Sequence, residues 1–523
     1  MSQEISRRAL LTAGIAVGAV AGLGRSAAAE AGGNGGGTIA LRNVTAIDAT
    51  GSPPRPGLTV IVKDGWITAL GRARDLRIPR GARVVDGTGK FLIPGLCDMH
   101  VHSVDAEVEQ VFAPLFLANG VTTVREMAGT PFLHAWRRRV ERGEVLGPRS
   151  VIGSPLLDGK PSLWEGIPGG ARYFEVTNEA QARQAVRQVK RDGADFVKVY
   201  SRLSRDAFLF IADEARRQRI PFAGHLPDVV PLREASQAGM RSVEHTWGVW
   251  YATSSREAEI YRALAEIRVG GGDYNGWFNQ IHPLDWMAVN SHDPGKAAAA
   301  YAQLAANRTW QVPTLMANQV IAMPDDFSGA DERLRYVPRS TAETWIFMVE
   351  ELYKAGRTPQ IASQHRQLFE HRLRVVGAMH RAGVPIMAGT DTAAAYTYPG
   401  FALHDELELL VRAGLTPMRA LQSATVEPAR FLGRQDWAGT IREGKVADLV
   451  LLDADPLTDI RNTRRVHAVL AAGRLISAGQ RERMLQDVAA AAGDMLQSPI
   501  AFAGRHDDHA ARTRTRPRHQ DSR

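Results

Sequence analysis

The chain has 523 residues, 44% of them hydrophobic and 23% charged, with 49 Gly and 27 Pro, a globular balance that excludes collagen-like, coiled-coil and wholly disordered proteins. Its lone Cys97 excludes an internal disulfide and any zinc site built on several cysteines. Of the net charge of +8, +2 lies in residues 1–29 and +3 in residues 504–523, and the +3 left to the body is no basic nucleic-acid footprint.

At the N-terminus, Ser6-Arg7-Arg8-Ala9-Leu10-Leu11 precedes a short Gly- and Ala-containing apolar stretch and the small residues Ser26-Ala27-Ala28-Ala29. A charged start, an apolar stretch and a small-residue cleavage site describe a signal peptide over residues 1–29. The paired arginines resemble a twin-arginine signal, although Leu10 stands where Phe is common. The expectation is export to the periplasm or the medium. The stretch is shorter than the ~20 apolar residues of a membrane span, so no stable span is expected after cleavage. A Gly-rich spacer follows at 30–37.

Residues 38–90 alternate apolar and polar positions with turns at Lys63-Asp64-Gly65 and Asp86-Gly87, and residues 438–478 do the same. Both read as strands of one small β-sandwich domain assembled from the two flanks of the body.

Between them, in residues 91–437, a helical stretch repeatedly closes on Gly and an apolar run follows. The pattern appears at Gly120, Gly193, Gly239 and Gly383. Gly just past a helix end takes the left-handed cap without steric cost, and continuous apolar runs suit strands buried on both faces. With Leu96–Val101, Val151–Ser154, Pro221–His225 and Trp310–Met316 the count reaches eight. The fold class is α/β, a (β/α)8 TIM barrel. Residues 251–308 and 317–380 exceed plain crossovers and are expected as helical insertions over the barrel mouth. A helix over 479–503 and a disordered basic tail over 504–523 complete the chain.

Polar residues sit at the strand ends. Asp98, His100 and His102 alternate in the first strand and therefore share a face, with the two imidazoles about 7 Å apart along the backbone. Alone, such an H-x-H is weak. Phe196-Val197-Lys198-Val199-Tyr200 adds a Lys inside an apolar strand, where an ammonium is costly to desolvate. It reads either as paired with a buried acid or as a neutral amine able to take up carbon dioxide. Gly224-His225, Glu244-His245 and Gly389-Thr390-Asp391 follow, each at a strand's C-terminal end, where barrel enzymes keep their catalytic groups.

This order of H-x-H, Lys, His, His and Asp resembles the amidohydrolase superfamily. So do Ile93-Pro94-Gly95-Leu96-Cys97-Asp98-Met99-His100-Val101-His102, Ala388-Gly389-Thr390-Asp391-Thr392 and Gly439-Thr440-Ile441-Arg442-Glu443-Gly444-Lys445-Val446-Ala447-Asp448. The Val-Lys-Val-Tyr and Val-Glu-His strands look most like its prolidase and imidazolonepropionase-related branch.

The resemblance implies two divalent metals, commonly Zn2+. His100, His102 and Asp391 would hold the first and His225 and His245 the second, with N6-carboxylated Lys198 bridging. It implies amide hydrolysis by a metal-bridging hydroxide, with Asp391 also shuttling the proton. The expected substrates are small amides such as Xaa-Pro dipeptides or N-acyl amino acids. A cyclic amidase, a lactonase or esterase, and a non-catalytic barrel remain open. Homo-oligomers enter by analogy with related enzymes.

Three residues stand open at this point. Tyr200 shares a face with Lys198, where it either donates to a developing oxyanion or packs. Arg125 either grips a substrate carboxylate or pairs with Glu126. His404, just after the eighth strand, is a candidate substrate contact. His134, His365, His371 and His380 fall in helical runs and read as surface or packing residues.

Overall fold

A computed structural model describes residues 37–72, 74–103, 108–167, 170–327 and 330–494. The expected signal peptide at 1–29, nearly all of the spacer, and the expected helix end and basic tail beyond residue 494 lie outside the described residues.

Thr38–Ala46 anchors the first sheet, and its apolar positions change phase part-way along. Ile39 and Leu41 face one core, then Val44 and Ala46 face the same core, because the register slips at Asn43, whose φ is 60°. A bulge of this kind bends a strand while keeping its apolar side inward. The sheet runs Arg474–Ile476, Val466–Ala471, Leu449–Leu452, Phe91–Pro94, Thr38–Ala46, Arg55–Lys63, Trp66–Arg72, with Arg83–Asp86 also on Thr38–Ala46. The two flanks of the chain thus meet in one sheet.

Period-two alternation in Leu449–Leu452 joins that sheet to the second body. Leu449 and Leu451 enter the core shared with Leu41, Val60 and Leu470, while Val450 and Leu452 enter the barrel core. Burial of a Leu contributes about 1.5–3 kcal/mol, so this four-residue strand ties both cores together.

Seven parallel strands form the barrel wall in chain order: Leu96–Val101, Val121–Glu126, Arg149–Asp158, Phe196–Val199, Phe222–Gly224, Ser242–Glu244 and Trp310–Val312. Tyr173–Glu175 adds a short strand beside the third, which the sequence pattern had not separated.

Two expectations are corrected here. The seventh strand stops at Val312 rather than Met316. Pro313 has no N–H for the ladder, Thr314 turns left-handed at φ 43°, and Leu315–Ala322 is helical. The eighth segment is not a continuous strand. It closes the barrel through single bridges, Gln311 to Ile386 on one side and Val101 to Thr392 on the other. Pro385 cannot donate, and the Ala388 N–H goes to the Ser423 carbonyl.

The connection after strand six carries the helices Glu257–Ala265, Tyr274–Asn290 and Pro294–Ala306. After strand seven come Leu315–Ala322, Arg339–Phe347, a π-helical stretch Met348–Lys354, and Pro359–Arg381. Helix Ala478–Asp494 packs Val488 against Val111, Phe112 and Leu115 of helix Glu109–Ala118. Among the described residues, no helix is long and apolar enough to cross a membrane.

Candidate metal centre

The strand ends converge because two glycines let the backbones approach. A Cβ on Gly224 would lie 2.1 Å from the Val199 carbonyl oxygen and 3.0 Å from Lys198 Cδ. One on Gly389 would lie 2.5 Å from Val312 Cγ1 and 2.9 Å from His100 Cβ. Strands four and five, and the closing segment and strand one, could not otherwise come this close.

His100, His245 and Asp391 place one ligand atom each within 4.8 Å of one another. Asp391 Oδ1 lies 3.3 Å from His100 Nε2 and 3.4 Å from His102 Nε2, and its Oδ2 lies 3.9 Å from His245 Nδ1. His225 stands with its ring centroid 4.6 Å from that of His245. Three of the four imidazoles have a partner on Nδ1: His100 has Glu244 Oε2 at 2.8 Å, His225 has Ser201 Oγ at 2.9 Å and His245 has Thr314 Oγ1 at 2.7 Å. For His100 and His225 that leaves Nε2 as the ring nitrogen for a ligand, whereas the Nδ1 of His245 is also the nitrogen that faces Asp391.

Lys198 is fully buried and its Nζ has no hydrogen-bond partner among the described residues; neither has His100 Nε2. Such groups are rare in a folded interior and point to something that completes them. Burial lowers the Lys198 amine to about 8, only partly offset by the charges of Glu244 and Asp391. Burial also takes His225 and His245 well below the usual imidazole range. It opposes the charge on Asp391, but His245 and His100 outweigh it and hold that carboxyl well below its ordinary value. Neutral imidazoles around an ionised carboxylate and an unpaired amine are a donor set suited to a divalent cation.

Tyr200 stacks on His225 with centroids 4.0 Å apart. Its hydroxyl accepts from Trp164 Nε1 at 2.8 Å and lies 3.1 Å from the Tyr274 hydroxyl. Trp247 packs on His245 and His225 at 4.7 and 5.0 Å. Tyr274, Trp277 and Phe278 continue this aromatic wall from helix Tyr274–Asn290.

The structure brings His100, His102, Lys198, His225, His245, Asp391 and Tyr200 together but not Arg125 or His404. Arg125 is fully buried inside the barrel. Its Nη2 donates to both carboxylate oxygens of Glu244 at 2.9 Å, its Nη1 to Ser242 Oγ at 3.0 Å and its Nε to the Met99 carbonyl at 2.6 Å. It therefore neither faces a substrate nor pairs with Glu126, which accepts from Ser103 instead. Adjacent strand residues point to opposite faces, which rules out the neighbouring pair. His404 is also buried. It donates Nε2–H to the Asn119 carbonyl at 3.1 Å and sets Nδ1 3.0 Å from Thr463 Oγ1, a packing role.

Glu244, Ser201, Thr314 and the Asp98–Thr390 pair were missed as supports of the site. Thr390 donates its N–H and hydroxyl to Asp98 at 3.0 and 2.7 Å, tying the closing segment to strand one. Buried charges inside apolar strands were the available signal, since such charges need partners.

The family model described as the amidohydrolase family matches residues 91–476. Ochratoxinase of Aspergillus niger is 31% identical over 485 residues, covering 81% of this chain and 82% of that protein. Adenine deaminase 2 of Rhizobium meliloti is 34% identical over 149 residues, only 28% of this chain and 22% of its own length. Among solved structures, bottromycin amidohydrolase superposes with a TM-score of 0.68 at 24% identity, covering 89% of this chain and 93% of that one. A Xaa-Pro dipeptidase with bound methionine superposes with a TM-score of 0.61 at 20% identity, covering 84% and 100%. At those identities the two structures speak for the fold.

Proposed function

The chain belongs to the amidohydrolase family and is a hydrolase of carbon–nitrogen bonds; from that premise we propose that it cleaves small amides carrying a free carboxylate, dipeptides of the Xaa-Pro type or N-acyl amino acids. The family generally binds divalent metals, and the His100, His245 and Asp391 donors fit one. We further propose two ions, zinc by preference, held by His100, His102 and Asp391 and by His225 and His245. When bound, such ions lower the pKa of water and polarise a carbonyl.

Lys198 carries this reading, because a fully buried amine with no hydrogen-bond partner among the described residues lies amid the proposed metal ligands. In the neutral form its nitrogen lone pair attacks carbon dioxide. An N–C bond would form, one C=O π bond would open to an oxyanion, and the nitrogen would pass its proton to water. The resulting carbamate would offer an anionic oxygen pair to the proposed ions.

Asp391 takes a proton from the attacking water at its carboxylate and returns it to the leaving nitrogen. Tyr200, with its oxygen already accepting from Trp164, would offer its O–H to the developing oxyanion.

Metal analysis of the protein grown with zinc tests this. Wild type should carry two ions per chain and Lys198→Ala about one or fewer. One ion per chain in both would contradict the bridged site.

A further inference from the structure

Below the metal centre a charged network crosses the barrel without reaching water. Arg125 from strand two, Ser242 and Glu244 from strand six and His100 from strand one are all fully buried. Arg125 binds both Glu244 oxygens at 2.9 Å and Ser242 Oγ at 3.0 Å, and Ser242 Oγ donates to Glu244 Oε1 at 2.5 Å. The guanidinium is further packed near the rings of Phe196 and Phe431, at 5.5 and 5.2 Å from their centroids. Glu244 thus has one orientation, and its Oε2 meets His100 Nδ1 at 2.8 Å.

A carboxylate accepts and never donates when ionised, so this contact requires the proton on His100 Nδ1. In the neutral ring Nε2 is then the lone-pair nitrogen, and it has no hydrogen-bond partner among the described residues and lies 3.3 Å from Asp391 Oδ1. The tautomer and the ring plane of His100 are both fixed from beneath. Lys198 gains nothing from Glu244 in hydrogen bonds, since both carboxylate oxygens are committed elsewhere.

We propose that Glu244, gripped by Arg125 and Ser242, is a positioning residue that fixes His100 with Nε2 toward the site and so sets how tightly the centre binds a divalent ion. The proposal rests on the reading of the site as a metal centre. A partner on the far ring nitrogen orients a ligating His and raises its basicity, and its removal typically weakens metal affinity about 10- to 100-fold.

The test is chelator competition with Zn2+ on the full-length metal-stripped protein, alongside melting of the metal-free form. Glu244→Gln should weaken Zn2+ binding about 10- to 100-fold. Arg125→Leu/Glu244→Gln removes both charges at once, leaves no uncompensated ion and should weaken binding to a similar degree. Ser242→Ala deletes one hydroxyl and keeps the ion pair, so it remains readable should the charge variants fail to fold; it should lose affinity by a smaller factor.

A purely structural role would lower the melting temperature and leave the zinc affinity at the wild-type value. Folded variants that bind Zn2+ as wild type does would therefore overturn the positioning proposal alone. Absence of zinc binding by wild type would overturn the metal-centre reading and this proposal with it.

Discussion

His245 Nδ1 and Asp391 Oδ2 face each other 3.9 Å apart, and both residues hold left-handed backbones with φ at 63°. Thr246 continues the turn at φ 57°. A non-glycine residue in this region costs of order 1–3 kcal/mol and persists only where its surroundings enforce it. Two side chains do so here. Arg372 donates through Nη1 to the His245 carbonyl and, at 2.7 Å, to Thr246 Oγ1, while Asn318 Nδ2 donates to the same carbonyl at 3.3 Å.

Arg372→Leu should therefore release the His245–Thr246 turn. Loss of hydrogen bonds from a charged donor is worth about 1.5–3 kcal/mol each. The variant should melt several degrees lower in calorimetry and lose most of its hydrolytic activity. An unchanged melting temperature would show that the turn holds without it.

Tyr200→Phe removes only a hydroxyl and leaves the ring stacked on His225. If that hydroxyl steadies the oxyanion, kcat should fall about 10²–10³-fold with KM little altered. Steady-state kinetics on one good amide substrate decide the matter, and a kcat within twofold of wild type would make Tyr200 a packing residue.

The sequence reading singled out His100, His102, Lys198, His225, His245 and Asp391, which the structure brings together, because a polar side chain inside an apolar strand is conspicuous at any separation. It failed for Arg125, because pairing was sought in the neighbouring Glu126 while the partner, Glu244, lies 119 positions away. No local pattern specifies such a partner; only barrel closure does. The aromatic wall of Trp247, Tyr274, Trp277 and Phe278 was equally hidden, since it belongs to a strand-six loop and an insertion whose path no periodicity reveals. His404 looked close to the site in sequence, yet it lies on the first turn of helix Phe401–Arg412 and faces Asn119 and Thr463. The eighth strand showed its apolar run but not its broken ladder, which depends on where the Ala388 N–H finds an acceptor.

Glu406 supplies a pH test away from the metal donors. It is fully buried; Oε2 accepts from the Met316 N–H at 2.8 Å and Oε1 has no hydrogen-bond partner among the described residues. Burial pushes its carboxyl up to about 8, against about 4.3 in an unfolded chain. The native state therefore holds a proton that the unfolded chain has released over that window. Stability from this group is full below pH 4, falls by about 1.4 kcal/mol per unit as pH rises, and levels off above 8. Glu406→Gln should remove that slope, so its melting temperature should gain on wild type between pH 5 and pH 8. Parallel melting curves would contradict the assignment.

Export is proposed from Arg7 and Arg8, the apolar stretch that follows and the small residues Ser26–Ala29. Replacing both by Lys should leave the precursor inside the cell, as followed by immunoblotting of cell fractions. Unchanged export would sink the twin-arginine reading and leave the account of the barrel intact.

Amide hydrolysis at the Asp391 centre is tested most directly by incubating zinc-loaded protein with dipeptides, N-acyl amino acids, lactones and cyclic ureides in water enriched in oxygen-18. Products are then read by mass spectrometry. The account predicts cleavage of amides bearing a free carboxylate, one oxygen-18 in each newly formed acid, and loss of turnover with Asp391→Asn or after metal removal. Turnover confined to lactones or ring amides, or cleavage untouched by Asp391→Asn, would contradict it.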